Sequence, residues 1–234
     1  KQEFSPEKAP GTTRILFLAD STAFLGDPPY PGLIVDTRIE CINASVPGYT
    51  SFQGRTLLKR LIRLEPDYVC ICFGWNDHWP ARGGLTDDDQ HILSTDPKLL
   101  CFIKLMVQRI LPAYPYRVPP IDFKSNLIAM RDLILERNAV PVFITAPSNF
   151  HENKMPPWSV RFFGEFYGMS PEQVQGIPHI HRFYAETVKE VASKKGCLLI
   201  DALSQFKHLD FRNDGIHFSP AGHERMAALL KSLL

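Results

Sequence analysis

The stretch Tyr68-Val69-Cys70-Ile71-Cys72-Phe73 is apolar at every position, which fits a strand covered on both faces rather than one with a wet side. Such a strand belongs in a parallel sheet, and parallel neighbours need crossovers long enough to hold a helix. The remaining chain meets that demand. Ile15 to Leu18 and Val140 to Thr145 repeat the apolar run, Cys197 to Ile200 is a shorter one, and Val35 to Ile42 alternates Val35, Thr37, Ile39 and Cys41 with polar neighbours. Between them the period turns helical. Leu57, Leu58, Leu61 and Ile62 share a face before Pro66; Phe123, Leu127, Met130 and Ile134 share another; Ile180, Phe183, Tyr184, Thr187, Val188 and Val191 mark a third, with Gly196 as its C-cap. Ser219-Pro220 opens a last helix that turns Met226, Leu229, Leu230, Leu233 and Leu234 inward. Strands alternating with helices predict an α/β fold, a three-layer α/β/α sandwich on a five-stranded parallel sheet with right-handed crossovers.

The pattern predicts a single domain over residues 14–234, with irregular insertions at about 78–120 and 146–178. In the first, only Lys98 to Ile110 reads as a short helix. The second concentrates Phe150, Trp158, Phe162, Phe163, Phe166 and Tyr167, the composition of a lid, an acyl pocket, a satellite core or a patch facing a membrane or partner. Residues 1–13 are polar, carry Pro6 and Pro10, and read as a linker; a linker at the start leans towards an extracytoplasmic protein with an export signal or anchor upstream.

Twenty-six basic side chains against 25 acidic ones leave a net charge of +1, which offers nothing to nucleic acid. No apolar stretch approaches the ~20 residues of a membrane span. The five cysteines, at 41, 70, 72, 101 and 197, form no CxxC pair and read as free thiols. His179 and His181 are two apart and point different ways on a helix, so no metal site and no cofactor is expected.

The chemistry-bearing residues stand where predicted strands end, the edge at which open α/β sheets hold ligands. Ser21 follows the first strand in Ala19-Asp20-Ser21-Thr22. It is a candidate nucleophile, although a serine in that place is also an ordinary helix cap. Acyl transfer through a serine needs a base in the right tautomer and donors aimed at the developing oxyanion. Asp214-Gly215-Ile216-His217 can supply the base, since a carboxylate three residues before an imidazole reaches its Nδ1 within one loop. Asn76, in the loop after Tyr68–Phe73, can offer an amide, and Gly48 a backbone N–H that a substrate can approach closely. His78 beside that loop could touch substrate or merely bind its own loop.

Ala19-Asp20-Ser21, Gly48, Gly74-Trp75-Asn76-Asp77 and Asp214-Gly215-Ile216-His217 together resemble the four signature blocks of the SGNH/GDSL hydrolases, in order and across almost the whole chain. The resemblance implies a flavodoxin-like sandwich and a carboxylic ester hydrolase with no cofactor. It assigns Ser21 as nucleophile, His217 as base and Asp214 as its orienting partner. The Ser21 N–H, Gly48 N–H and Asn76 amide become the oxyanion hole, with Asp20 and Asp77 as structural neighbours. One block departs from the family's usual Gly-Asp-Ser: Ala19 adds a methyl group where the strand ends, which bears on substrate approach and removes no reacting atom.

The expected substrate is a small-molecule or carbohydrate ester with a short acyl group, O-acetyl on sugar foremost by analogy with the family. An acyltransferase using the same residues, or a non-catalytic carbohydrate-binding protein on this fold, are the alternatives.

Overall fold

The structure, a computed structural model, describes residues 6–81, 84–95, 116–151 and 155–233, and the statements below concern these. Five parallel strands, β1 (Thr13–Ala19), β2 (Ile39–Asn43), β3 (Tyr68–Cys72), β4 (Val140–Ile144) and β5 (Leu198–Ile200), lie in the order β2-β1-β3-β4-β5. β1 and β3 are central, and their register sets Ala19 beside Cys72. The two loops that follow them therefore open side by side, where the order reverses between β1 and β3.

Alternation along the strands builds two cores. Ile15, Phe17 and Ala19 of β1, with Cys70, Cys72, Val142 and Ile144, face one layer; Leu16 and Leu18, with Val69, Ile71 and Phe143, face the other. The second layer is α2 (Ser51–Leu61), α4 (Pro120–Glu136) and α7 (Ile177–Ala192), which present Leu58, Phe123, Leu127, Met130, Ile134 and Val188. The first layer includes Met226 and Leu230 from α9 (Pro220–Lys231), capped by Ser219 Oγ accepting from the Gly222 N–H. Helices on both faces make this a three-layer α/β/α sandwich.

Several expectations are corrected. β2 starts at Ile39, and Val35 is 81 % exposed. Alternation from 35 was misleading because β2 is a sheet edge, where a strand needs little apolar surface. The segment 146–178 is largely helical: α5 (Pro157–Tyr167), α6 (Pro171–Gln175) and the first residues of α7 occupy it. Pro157 and Pro171 stand at the first position of α5 and α6, and Pro178 at the second of α7, where proline starts a helix instead of breaking it. The cap of α7 is Ser193, and Gly196, at φ +91°, turns the chain into β5. α3 (Asp87–Thr95) was not anticipated; the expected helix Lys98–Ile110 and Cys101 lie outside the described residues. Ahead of β1, Lys8 pairs with Asp67 at 2.8 Å, and Pro6 C=O accepts from buried Arg14, so part of the expected linker is tied to the sheet. The remaining helices are α1 (Ser21–Phe24) and α8 (Ala202–Gln205). Cys70 and Cys72 are buried and free, as are the half-buried thiols of Cys41 and Cys197.

Candidate active site

β1 ends at Ala19, and the cap of the short helix that follows is Asp20, not Ser21. Its Oδ1 accepts from the Thr22 N–H at 2.9 Å and the Thr22 hydroxyl at 2.8 Å. With the capping role taken, Ser21 stands at the first helical position with its hydroxyl unclaimed by the backbone. There Ser21 Oγ lies 2.8 Å from His217 Nε2, across 196 residues of sequence.

His217 is presented by a loop that holds itself. Phe211 bridges Phe218 in antiparallel fashion, the Arg212 N–H donates to His217 C=O at 2.8 Å, and the Gly215 N–H to Arg212 C=O at 2.9 Å. Gly215 takes φ +73°, and a Cβ there would come within 3.1 Å of the Phe150 ring, so both backbone and neighbour call for glycine. Asp214 Oδ1 accepts from the N–H groups of Ile216 and His217, both at 2.8 Å, which leaves Oδ2 for His217 Nδ1 at 2.9 Å. Partial burial pushes the Asp214 carboxyl up, but the hydrogen bond from His217 and the two backbone donors outweigh it and hold it below its ordinary value. An ionised carboxylate only accepts, so Nδ1 carries the ring hydrogen and Nε2 is the acceptor for the Ser21 O–H.

Two more loops close on the same place. Beyond β2 the chain stays beside β1, with the Ala44 N–H donating to Phe17 C=O at 3.0 Å and the Val46 N–H to Ala19 C=O at 3.1 Å. It then reverses over Val46-Pro47-Gly48-Tyr49, closed by the Tyr49 N–H on Val46 C=O at 3.1 Å. Proline followed by a glycine at φ +81° is the pattern of a type II turn. A Cβ on Gly48 would meet nothing within 4 Å, so backbone conformation, not packing, selects glycine. Among the described residues the Gly48 N–H has no acceptor.

The loop after β3 places Asn76 9 % exposed, and its amide is fully engaged: Nδ2 donates to Asp20 Oδ2 at 3.0 Å and to Tyr49 C=O at 3.1 Å. Asn76 thus ties the Ser21 turn to the Gly48 turn. Asp20 is 2 % exposed; burial raises its carboxyl, offset in part by the Thr22 bonds and by the nearby His217. Asp77 faces away. It accepts from the Ser51 N–H at 2.8 Å, the Ser51 hydroxyl at 2.5 Å and the Gly74 N–H at 3.1 Å, and burial pushes it up to about 7 despite the Ser51 bonds.

A cavity of about 350 Å³ opens at Ser21, lined by the polar Asp20, Asn76, Asp214 and His217 and by the aromatic Trp75, Trp79, Trp158 and Phe162. Trp158 and Phe162 come from α5, so the aromatic segment contributes to the pocket wall; Phe150 and Phe163 are buried against Trp75, Trp79 and Trp158 behind it. A larger hollow of about 650 Å³, lined by Phe52, Arg60, Gln90 and Arg117 among others, has neither Ser21 nor His217 in its lining.

His78 is buried beneath this wall. Its Nε2 lies 2.9 Å from His181 Nδ1, and His181 Nε2 donates to Ala146 C=O at 2.8 Å. Trp75 stacks on His181 with centroids 4.2 Å apart. Burial holds both rings neutral, His181 at about 4 and His78 well below its ordinary value. His78 therefore supports the pocket from behind and His181 ties it to β4's end; His179 is exposed. Among the described residues no cluster of three metal-ligating side chains occurs.

Residues 20–225 match the sequence profile of the GDSL-like Lipase/Acylhydrolase family. This chain belongs to that family, and it is a carboxylic ester hydrolase. The fold of this acylhydrolase is similar to that of a lipase/acylhydrolase from Enterococcus faecalis (TM-score 0.57, 18% identity, 95% of each chain covered). It is also similar to a GDSL-like lipase from Bacteroides thetaiotaomicron (0.60, 15%, covering 94% of this chain and 87% of that one). A variant of an acetyl xylan esterase from Geobacillus stearothermophilus gives 0.59 and 17%, covering 95% and 94%. A search of curated proteins by sequence finds no match.

The loops at predicted strand ends and the family resemblance named Ser21, Gly48, Asn76, Asp214 and His217 as candidates. Neither pointed to Asp20 as the link between Ser21 and Asn76, or to Arg117 on Gly48 C=O and its partner Asp87 on Thr50 and Gln53. Arg117 and Asp87 lie thirty residues apart in an irregular stretch, where no period connects them.

Proposed function

We propose that this acylhydrolase is a serine esterase that removes short acyl groups, O-acetyl on carbohydrate foremost, through an acyl-Ser21 intermediate. The observation that carries the proposal is the unbroken chain Asp214 Oδ2–His217 Nδ1 at 2.9 Å and His217 Nε2–Ser21 Oγ at 2.8 Å. In it, His217 Nε2 takes the Ser21 proton as Oγ attacks the acyl carbonyl, and Asp214 stabilises the imidazolium that results. The carbonyl oxygen becomes an oxyanion bound by the Ser21 N–H, the Gly48 N–H and the Asn76 amide. For Asn76 this means exchange: one amide hydrogen leaves Tyr49 C=O for the oxyanion and keeps Asp20 with the other. The C–O bond of the tetrahedral species then breaks, and His217 delivers its proton to the leaving alkoxide. Water, deprotonated by the same ring, attacks the acyl-Ser21 carbonyl; the acid leaves and Oγ recovers its hydrogen.

Substrate class is supported by the pocket. About 350 Å³ is near the small end of ligand cavities and holds a short acyl group with part of a sugar ring better than an extended chain. Its described lining has no Lys or Arg, so nothing there matches an anionic carrier, and indole faces suit the C–H face of a neutral sugar. The acetyl xylan esterase named above, whose fold is similar, lends the same direction. The test is acetate release from acetylated xylo-oligosaccharides and p-nitrophenyl acetate, with Ser21→Ala as control. Hydrolysis lost in Ser21→Ala supports the reading. Equal activity in the variant refutes the nucleophile, and transfer of acetyl to a sugar acceptor in place of release refutes hydrolysis.

A further inference from the structure

The two oxyanion donors outside the Ser21 turn sit on different loops, Gly48 after β2 and Asn76 after β3. One visible tie between those loops is the Asn76 amide on Tyr49 C=O. In the mechanism above, this bond is surrendered when the oxyanion forms. The bonds from Ser51 to Asp77 still tie the start of α2 to the β3 loop, but they do not touch Gly48 itself.

Arg117 does touch it. Its backbone is pinned to the loop that carries Asn76: the Arg117 N–H donates to Trp79 C=O at 2.8 Å, and the next N–H, of Val118, to Asp77 C=O at 3.0 Å. Its side chain reaches the other loop, Nη1 donating to Gly48 C=O at 3.0 Å. The guanidinium is oriented by a two-pronged contact with Asp87, Nε to Oδ1 at 3.1 Å and Nη2 to Oδ2 at 3.0 Å. Asp87 is itself 5 % exposed and fixed at its own backbone, where its N–H donates to Arg117 C=O at 2.9 Å. Its Oδ2 also lies 2.7 Å from Thr50 Oγ1 and accepts from Gln53 Nε2 at 2.9 Å, and these residues start α2 directly after the turn. One planar fork thus joins both loops and the helix that follows.

We infer that Arg117 is a positioning residue for ester hydrolysis: by gripping the Gly48 carbonyl from the β3 loop, it holds the Gly48 N–H aimed at the oxyanion after Asn76 releases Tyr49. The inference rests on the proposed use of Gly48 and Asn76 as oxyanion donors. A flexible lysine ammonium can stay beside Asp87 but cannot serve Asp87 in a fork and Gly48 together. Misplacing a donor by about an ångström costs up to ~10²-fold in rate.

The experiment compares wild type, Arg117→Lys and Arg117→Ala by kcat and KM on p-nitrophenyl acetate, and by amide hydrogen exchange across residues 46–50. Arg117→Lys, which keeps the cation beside buried Asp87, guards against a variant that fails to fold. Expected are a kcat about tenfold lower in Arg117→Lys and lower again in Arg117→Ala, KM within about twofold. Added guanidinium ion should restore part of the rate in Arg117→Ala, and exchange at Tyr49 should quicken while β3 stays protected. Unchanged kcat overturns the inference, even if the turn exchanges faster. So does a lower kcat with unchanged exchange at 46–50, since the effect would then come from elsewhere. Full activity in Ser21→Ala would sink the esterase reading instead, and the exchange arm would still decide whether Arg117 holds the turn.

Discussion

Asn76→Ala separates what the side chain does for stability from what it does for the reaction. In the resting protein the change removes two hydrogen bonds and leaves Asp20 Oδ2, which is buried, and Tyr49 C=O without their donor. An orphaned buried acceptor costs about 1–3 kcal/mol. A loss of about 2 kcal/mol lowers Tm by about 4–8 °C in a chain of this size. In the transition state an oxyanion donor is worth about 2.7–4 kcal/mol. Here the donor must first leave Tyr49, at a cost of about 1 kcal/mol, the net worth of an ordinary hydrogen bond. The difference, about 2–3 kcal/mol, is a fall of about 30- to 150-fold in kcat. The assay is steady-state hydrolysis of p-nitrophenyl acetate well below the variant's melting temperature, alongside a thermal melt. A variant that melts lower as expected yet keeps kcat within about threefold of wild type would refute the oxyanion role and leave Asn76 as a strut between two turns.

Two further outcomes follow from the pocket and its support. Phe162→Ala removes a ring from the lining of the Ser21 cavity, so kcat/KM should shift from acetyl towards butyryl and hexanoyl p-nitrophenyl esters by up to about fourfold per methylene accommodated, from ~0.8 kcal/mol for each CH₂ buried; an unchanged chain-length ratio would show that this ring does not bound the acyl site. The buried His78–His181 pair should make the fold acid-sensitive: His181 is held at about 4 in the folded protein against about 6.5 when unfolded. Between those values the unfolded chain binds more protons, so stability is intact above pH 6.5 and falls as pH drops towards 4, by about 3 kcal/mol from this ring, with His78 acting in the same direction. Urea midpoints from pH 7 to 4.5 should show that slope in wild type and a flatter one in His181→Phe; equal slopes would contradict it.

The apolar runs and helical periods in the sequence were enough to specify the sheet, its central strand and the layers, because burial on both faces writes itself into consecutive residues. The four loop motifs were legible for a related reason: a nucleophile, a base with its carboxylate, a positive-φ glycine and a terminal amide are chemical types that few other residues replace. The helices within 146–178 begin at Pro157 and Pro171, and a proline that begins a helix looks the same in sequence as one that ends it. Only tertiary structure could decide that Asp20 takes the cap and frees Ser21, that Asn76 is already bonded to both neighbouring turns, and that Arg117 joins the Gly48 turn to the loop after β3. These are contacts between loops far apart in the chain, set by strand register and not by any local period. The sequence determines which groups are available for the chemistry; the packing of β1 against β3 determines which of them are free to act.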